Sequence, residues 1–189
     1  MPRRLPEVLT REEAAALLAA PSRYYPTGKR DRCIIKLMLN AGLRASEVLN
    51  LGWQDVDLHT GKLVVRRGKG NKDRQVWIND EALALLRLWR EDAPACPWCF
   101  PTLGGTRMHG AHLRAMRRGI KAGIPKDVHP HMCRHTYATE LYRSSKDIRL
   151  VQKALGHASL STTMDQRAHL NQKVRFGKTG KAHRRKIKG

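Results

Sequence analysis

The strongest constraint on the fold is a single β-hairpin set inside a chain otherwise patterned for helices. Residues 62–67 and 74–79 are β-rich runs on either side of Gly68-Lys69-Gly70-Asn71-Lys72-Asp73, a polar, glycine-containing connection that lets two strands pair antiparallel. Elsewhere the punctuation is helical. Thr10-Arg11-Glu12-Glu13 reads as a capping box opening an Ala/Leu-rich helix that Pro21 ends. After a polar stretch at 22–29, a second helix carries Ile34, Leu37, Met38 and Ala41 on one face and stops at Gly42. Residues 46–51 predict one or two further turns, and Asp80 predicts the cap of a helix running through Trp89. Beyond a Pro- and Gly-rich loop at 94–106, helical patterns occupy 109–122, 130–143, 147–155 and 161–170. The expected fold class is α+β, mainly helical, with one small antiparallel sheet.

Charge narrows the partner. The 189 residues hold 37 Lys and Arg against 16 Asp and Glu, a formal charge of +21. The tail from 173 to 189 has eight basic residues and no acid, so removing it still leaves +13 on the body. Clustered Lys and Arg displace counterions from nucleic acid, which makes double-stranded DNA the first expected partner. A membrane is not expected, because no run of 18 apolar residues and no basic amphipathic helix with a bulky aromatic face occurs. Four cysteines, only two of them close together, do not make a disulfide framework, and a reducing cytoplasm is the default compartment.

Four segments bring chemistry: 41–51 around Arg44, the hairpin tip around Lys69, 129–136 around His131 and Arg134, and 155–163 around His157. His131 and Arg134 stand three apart on one helical face. Arginines clamp a phosphate with planar paired donors, a lysine on a long tip can reach a leaving oxygen, and histidine donates or transfers a proton near neutral pH. Two Arg, one Lys and two His round one phosphate would stabilise a pentavalent transition state with neither metal nor other cofactor. Glu47 could orient Arg44, or sit in a first helical turn where the helix dipole favours it.

Taken in order, GLRASEVLNL at 42–51, GKGNKDR at 68–74, HMCRHT at 131–136 and LGHASLSTT at 155–163 resemble the catalytic domain of the tyrosine recombinase (phage integrase) family, over about residues 5–170. The resemblance implies that fold, site-specific DNA recombination or integration, self-association in a tetrameric synapse, and no cofactor. It implies Arg44 and Arg134 as phosphate-binding arginines, Lys69 as general acid for the leaving 5′-hydroxyl, and His131 and His157 as phosphate partners. It assigns 1–170 to the catalytic domain and 171–189 to a basic tail, with the family's N-terminal core-binding domain absent.

One departure stands against these matches. The family's nucleophilic tyrosine follows the LGH segment, and here that stretch reads Thr162-Thr163-Met164-Asp165-Gln166-Arg167-Ala168-His169-Leu170. Matching Asp165 and His169 places Arg167 at the tyrosine position; a shorter spacing from His157 selects Gln166. Neither side chain can form a phosphotyrosyl-type ester, since a guanidinium stays protonated and has no lone pair to attack with. All four tyrosines, Tyr24, Tyr25, Tyr137 and Tyr142, precede His157. The expectation is a recombinase domain that binds and positions DNA but does not cleave it. The alternative is a non-catalytic DNA-binding regulator or architectural protein on the same fold, and a type IB topoisomerase-like enzyme fits the LGH segment less well.

Two further groups of residues carry weaker signals. Arg66, Arg67, Lys72 and Arg74 flank the hairpin tip and are expected to contact DNA backbone phosphates. Cys96-Pro97-Trp98-Cys99 with His109 and His112 has too short a middle spacing and too close a histidine pair for a zinc finger, so no metal is expected.

Overall fold

A computed structural model of the chain describes residues 7–66, 73–117 and 122–156, with side chains left undescribed at 114–117. The central element is α2 (Pro26–Ala41), which lies against α1 (Arg11–Ala19), α4 (Asp80–Asp92) and α5 (Pro130–Ser145). Its Cys33, Ile34, Ile35, Leu37, Met38 and Ala41 are all buried, so α2 supplies the core from more than one face. Burying a side chain of this size contributes about 1.5–3 kcal/mol before entropy is counted.

Local chemistry sets the helix ends. Thr10 Oγ1 accepts from the Glu13 amide at 3.1 Å while Glu13 Oε2 accepts from the Thr10 amide at 2.7 Å, the capping box the sequence predicts. Pro26 and Pro130 occupy first turns, where no amide donor is missed. The cap of α4 lies one residue earlier than expected: Asn79 Oδ1 accepts from the Ala82 amide at 3.1 Å, and Asp80 stands in the first turn. Asp147 caps α6 (Ile148–Leu155), accepting from the amides of Arg149 and Leu150. Gly42 and Gly156 end α2 and α6 at φ +59° and +62°.

The hairpin belongs to a three-stranded antiparallel sheet, β1 (Val56–Asp57), β2 (Lys62–Val65) and β3 (Arg74–Trp77), in the order β1-β2-β3. Two residues are too few for β1 to show a period of two, and the sequence offers no sign of it. Leu63, Val65 and Val76 face the core and Trp77 faces out. The last ladder pair before the tip is Val65 with Arg74.

Where one helix is expected over 109–122, the described part is 3-10 helix at Gly110–Arg117 with Leu113 off helical geometry. His112 both donates its amide to the His109 carbonyl and accepts the His109 amide on Nδ1, a local closure that favours the tighter turn. The hairpin-tip residues 67–72, the expected helix at 161–170 and the tail at 171–189 lie outside the described residues.

Three of the four cysteines, Cys33, Cys99 and Cys133, serve the core. Burial pushes the Cys33 and Cys133 thiols up to about 12 and raises Cys99 well above its ordinary value. Cys99 is fully buried, and its carbonyl accepts from Trp89 Nε1 at 2.8 Å. Among the described residues no group of three or more His, Cys, Asp or Glu side chains could hold a metal ion, and no helix is long and apolar enough to cross a membrane.

Candidate active site

Three arginines from distant parts of the chain meet one carboxylate. The turn that ends α2 leads through Gly42 and Leu43 to Arg44, which opens α3 (Ala45–Leu49), and Glu47 lies on the first turn of α3. Glu47 reaches back to accept from the Arg44 amide at 2.8 Å and from Arg44 Nη1 at 2.7 Å. Arg74 enters from the start of β3 and grips the same carboxylate with both ends of its fork, Nη1 on Oε1 and Nη2 on Oε2, each at 2.7 Å. Arg134 comes from α5; its Nη1 lies 3.9 Å from Glu47 Oε2. Nη1 also donates to the Gly42 carbonyl, and Nη2 donates to the Leu155 carbonyl at 2.5 Å. One guanidinium thereby joins the end of α2 to the end of α6.

The cluster is enclosed. Side-chain exposure is 6% for Glu47, 7% for Arg134 and 11% for Arg74, while Arg44 is the most open at 21%. Burial by itself would raise the Glu47 carboxyl; the hydrogen bonds from Arg74 and from the Arg44 amide, reinforced by the neighbouring charges, outweigh it and hold the group down to about 2. Burial, followed by the Arg44 charge, pulls Arg134 down to about 9, with Glu47 opposing, so it remains a cation at neutral pH. Three guanidiniums against one carboxylate leave two positive charges in excess. A phosphodiester brings one negative charge and its pentavalent transition state two, so such a cluster stabilises the transition state more than the ground state.

Gly42 cannot carry a side chain here. Its φ is +59°, and an added Cβ would stand 2.4 Å from Tyr137 Cδ1. G42A should therefore lower the unfolding free energy by about 2–4 kcal/mol, combining left-handed strain with overpacking. Urea denaturation measures this, and a loss below about 1 kcal/mol would mean that the turn relaxes away from Tyr137. The Tyr137 phenol, raised by burial, packs over this turn.

Of the residues singled out in the sequence, Arg44 and Arg134 meet at Glu47. His131 is exposed on the first turn of α5, its ring 6.4 Å from that of His129, with Arg134 one turn further on and facing inward. Arg66 follows β2, half exposed, and donates through Nε to the buried Asp55 carboxylate. Arg74 lies on Glu47 rather than on the outer face of the hairpin. Lys69, Arg67, Lys72, His157 and Arg167 lie outside the described residues. The residue before His157 is nonetheless placed: a Cβ on Gly156 would stand 2.9 Å from Arg74 Cδ. An open cleft of about 370 Å³ borders Glu47, lined in part by Asn50, Gln54, Arg66 and Arg107, with the Arg107 guanidinium 5.2 Å above the Trp98 ring.

Two features escape the sequence reading: Glu47 as the common partner of three arginines, and Arg74 as an inward-facing member. The second has a signal, since Arg74 and Val76 share a strand face and a run ending in Val76 and Ile78 points that face to the core.

The phage integrase family model matches residues 7–173. A tyrosine recombinase XerC of Xanthomonas axonopodis pv. citri (strain 306) is 42% identical over 166 residues, covering 86% of this chain and 54% of that recombinase. A tyrosine recombinase XerA of Thermococcus kodakarensis is 41% identical over 174 residues, covering 86% of this chain and 58% of its own. Among solved structures, XerA recombinase aligns with a TM-score of 0.76 and 34% identity, covering 88% of this chain and 60% of that one. XerH site-specific recombinase, in a post-cleavage complex with its palindromic difH substrate, also gives 0.76, at 31% identity over 93% of this chain and 53% of that one. The chain spans about half the length of these relatives.

Proposed function

Because the chain belongs to the phage integrase family of tyrosine recombinases, we propose that it is the catalytic portion of a site-specific DNA recombinase, with an arginine in the nucleophile's place. Arg44 and Arg134 grip the scissile phosphodiester, His131 and His157 hydrogen-bond it, and Lys69 faces the leaving oxygen. In a chain with tyrosine at the Arg167 position, the phenol gives its proton to a neighbouring imidazole and its oxygen forms a new P–O bond. The bond from phosphorus to the 5′-oxygen breaks, and Lys69 protonates that oxygen. The 5′-hydroxyl of a partner strand reverses the sequence, so one phosphodiester is exchanged for another without an energy source. Four copies on two duplexes would complete the exchange. With Arg167 the nucleophile is lacking, and the chain binds and positions DNA without cutting it.

The observation that carries this reading is the convergence of Arg44 and Arg134, 90 residues apart, on Glu47 with positive charge in excess. The second reading, a non-catalytic regulator on the same fold, draws on Arg167. Against it stands the whole set of Arg44, Lys69, His131, Arg134 and His157, which a binding protein does not need.

A pool of nicked duplexes with a randomised centre, whose short strand diffuses away after cleavage, tests the proposal. The chain should retard the pool, with affinity falling about a hundredfold between 50 and 200 mM salt if it neutralises about four phosphates. It should leave no band stable to detergent. Failure to retard DNA would overturn the recombinase reading; a covalent adduct would overturn the lack of cleavage.

A further inference from the structure

We infer that Arg74 is a positioning residue of the strand-transfer site: it ties the hairpin bearing Lys69 to Glu47 and to the segment that begins at Gly156. This rests on the recombinase reading, in which Lys69 and His157 act on the phosphate held by Arg44 and Arg134. Nothing in that reading needs Arg74, which the sequence suggests only as an outer phosphate contact.

Its place in the sheet is the first argument. Arg74 and Val65 are the last paired residues before the tip, so they set where the connection carrying Lys69 leaves and rejoins the sheet. The second is its partner. Both Nη atoms of Arg74 donate to the buried Glu47 carboxylate, whose same two oxygens hold Arg44. The base of the hairpin and the phosphate-binding Arg44 therefore share one fixed point.

The third argument is contact with the other end of the site. The Arg74 stem passes so close to Gly156 that a Cβ there would stand 2.9 Å from Cδ and 3.3 Å from Nε. His157 is bonded to that glycine. One residue thus stands at the foot of the Lys69 hairpin, binds the holder of Arg44 and lies against the residue preceding His157. Finally, Arg74 Nε is buried with no hydrogen-bond partner among the described residues. Folded chains pair nearly all such donors, so the cost of leaving this one unpaired calls for a compensating role.

The role has a chemical signature. When the P–O5′ bond breaks, the alkoxide must take a proton, and a displaced Lys69 supplies it poorly. If the bridging oxygen is replaced by sulfur, the leaving group is a thiolate, whose conjugate acid has a pKa of about 8.5 and which departs without a proton. Loss of Lys69 placement should thus appear with oxygen and vanish with sulfur.

The test compares R167Y with R74A/R167Y on the same nicked duplex with a 5′-bridging oxygen or sulfur. R74A should slow adduct formation about 100-fold with oxygen, the scale of general acid catalysis, and by less than about fivefold with sulfur. Equal losses on both substrates, or none on oxygen, would overturn the inference alone. In the chain with Arg167, amide exchange at residues 75–77 and 155–156 should accelerate about tenfold in R74A and stay unchanged in α4; unchanged exchange at both segments would overturn the tie. No adduct from either R167Y or Q166Y would instead overturn the recombinase reading, and the role of Arg74 in it.

Discussion

Replacing Arg167 by tyrosine should convert a chain proposed only to bind DNA into one that becomes covalently joined to it. A phenol of ordinary pKa about 10 can lose its proton in the transition state and form a phosphodiester; a guanidinium cannot, whatever its surroundings. The rest of the proposed apparatus is already present in the chain: Arg44 and Arg134 gathered at Glu47 with positive charge in excess, and Lys69 and His157 in motifs that match the family's in order and spacing. Cleavage by R167Y should therefore rise from none detectable to an adduct that accumulates on the nicked duplex pool, stable to detergent and destroyed by protease. Mapping the adduct to residue 167 tests the alignment. If Q166Y reacts and R167Y does not, the shorter spacing is correct and Arg167 is only its neighbour. If neither reacts while both retard DNA, the chain is a binding protein and the five matching residues serve affinity.

That experiment turns on a residue read from sequence alone, and the site shows why sequence reaches some parts and not others. Arg44 and Arg134 are legible because each sits in a local motif: one follows a helix-ending glycine, the other lies three residues after His131 on a helix started by proline. The helix caps are legible for the same reason, since a cap is decided within four residues. Asn79 against Asp80 is the kind of one-residue ambiguity that two good capping residues in succession create. Glu47 is different. Sequence spacing gives it one partner, Arg44, three residues away. The other two arginines reach it only because α5 lies on α2 and the sheet turns the Val65–Arg74 end toward α3.

The packing of that carboxylate explains how a chain can keep several buried guanidiniums. Removing charged groups from water is expensive unless each is paired and its remaining donors are satisfied. Glu47 answers for two arginines by direct hydrogen bonds, and the carbonyls of Gly42 and Leu155 take the Arg134 donors. Those two carbonyls belong to helix ends, where the last residues of a helix have no partner of their own. The left-handed glycines that end α2 and α6 thus do more than stop helices: the turns they form leave acceptors for the arginine proposed to bind phosphate.

E47Q should accordingly destabilise the fold, and its effect should depend on pH in one direction. The Glu47 carboxyl is held at about 2 in the folded chain against an ordinary 4.5. A depressed carboxylate contributes stability that is complete above its unfolded pKa and is lost as pH falls through the folded one. The window here is about 4.5 down to about 2. The difference corresponds to about 3 kcal/mol at neutral pH. Guanidiniums do not titrate in this range, so the carboxylate is the group of this cluster that does. Unfolding free energy at pH 7 should drop by about 3 kcal/mol in E47Q, since an amide offers one acceptor and turns two donors toward three guanidiniums. The gap between the parent chain and E47Q should shrink steadily below pH 4.5 and nearly close by pH 2, which subtracts the titration of every other carboxylate. A gap independent of pH would mean that Glu47 acts through shape alone. A gap that widens in acid would reverse the sign of its pairing with the arginines.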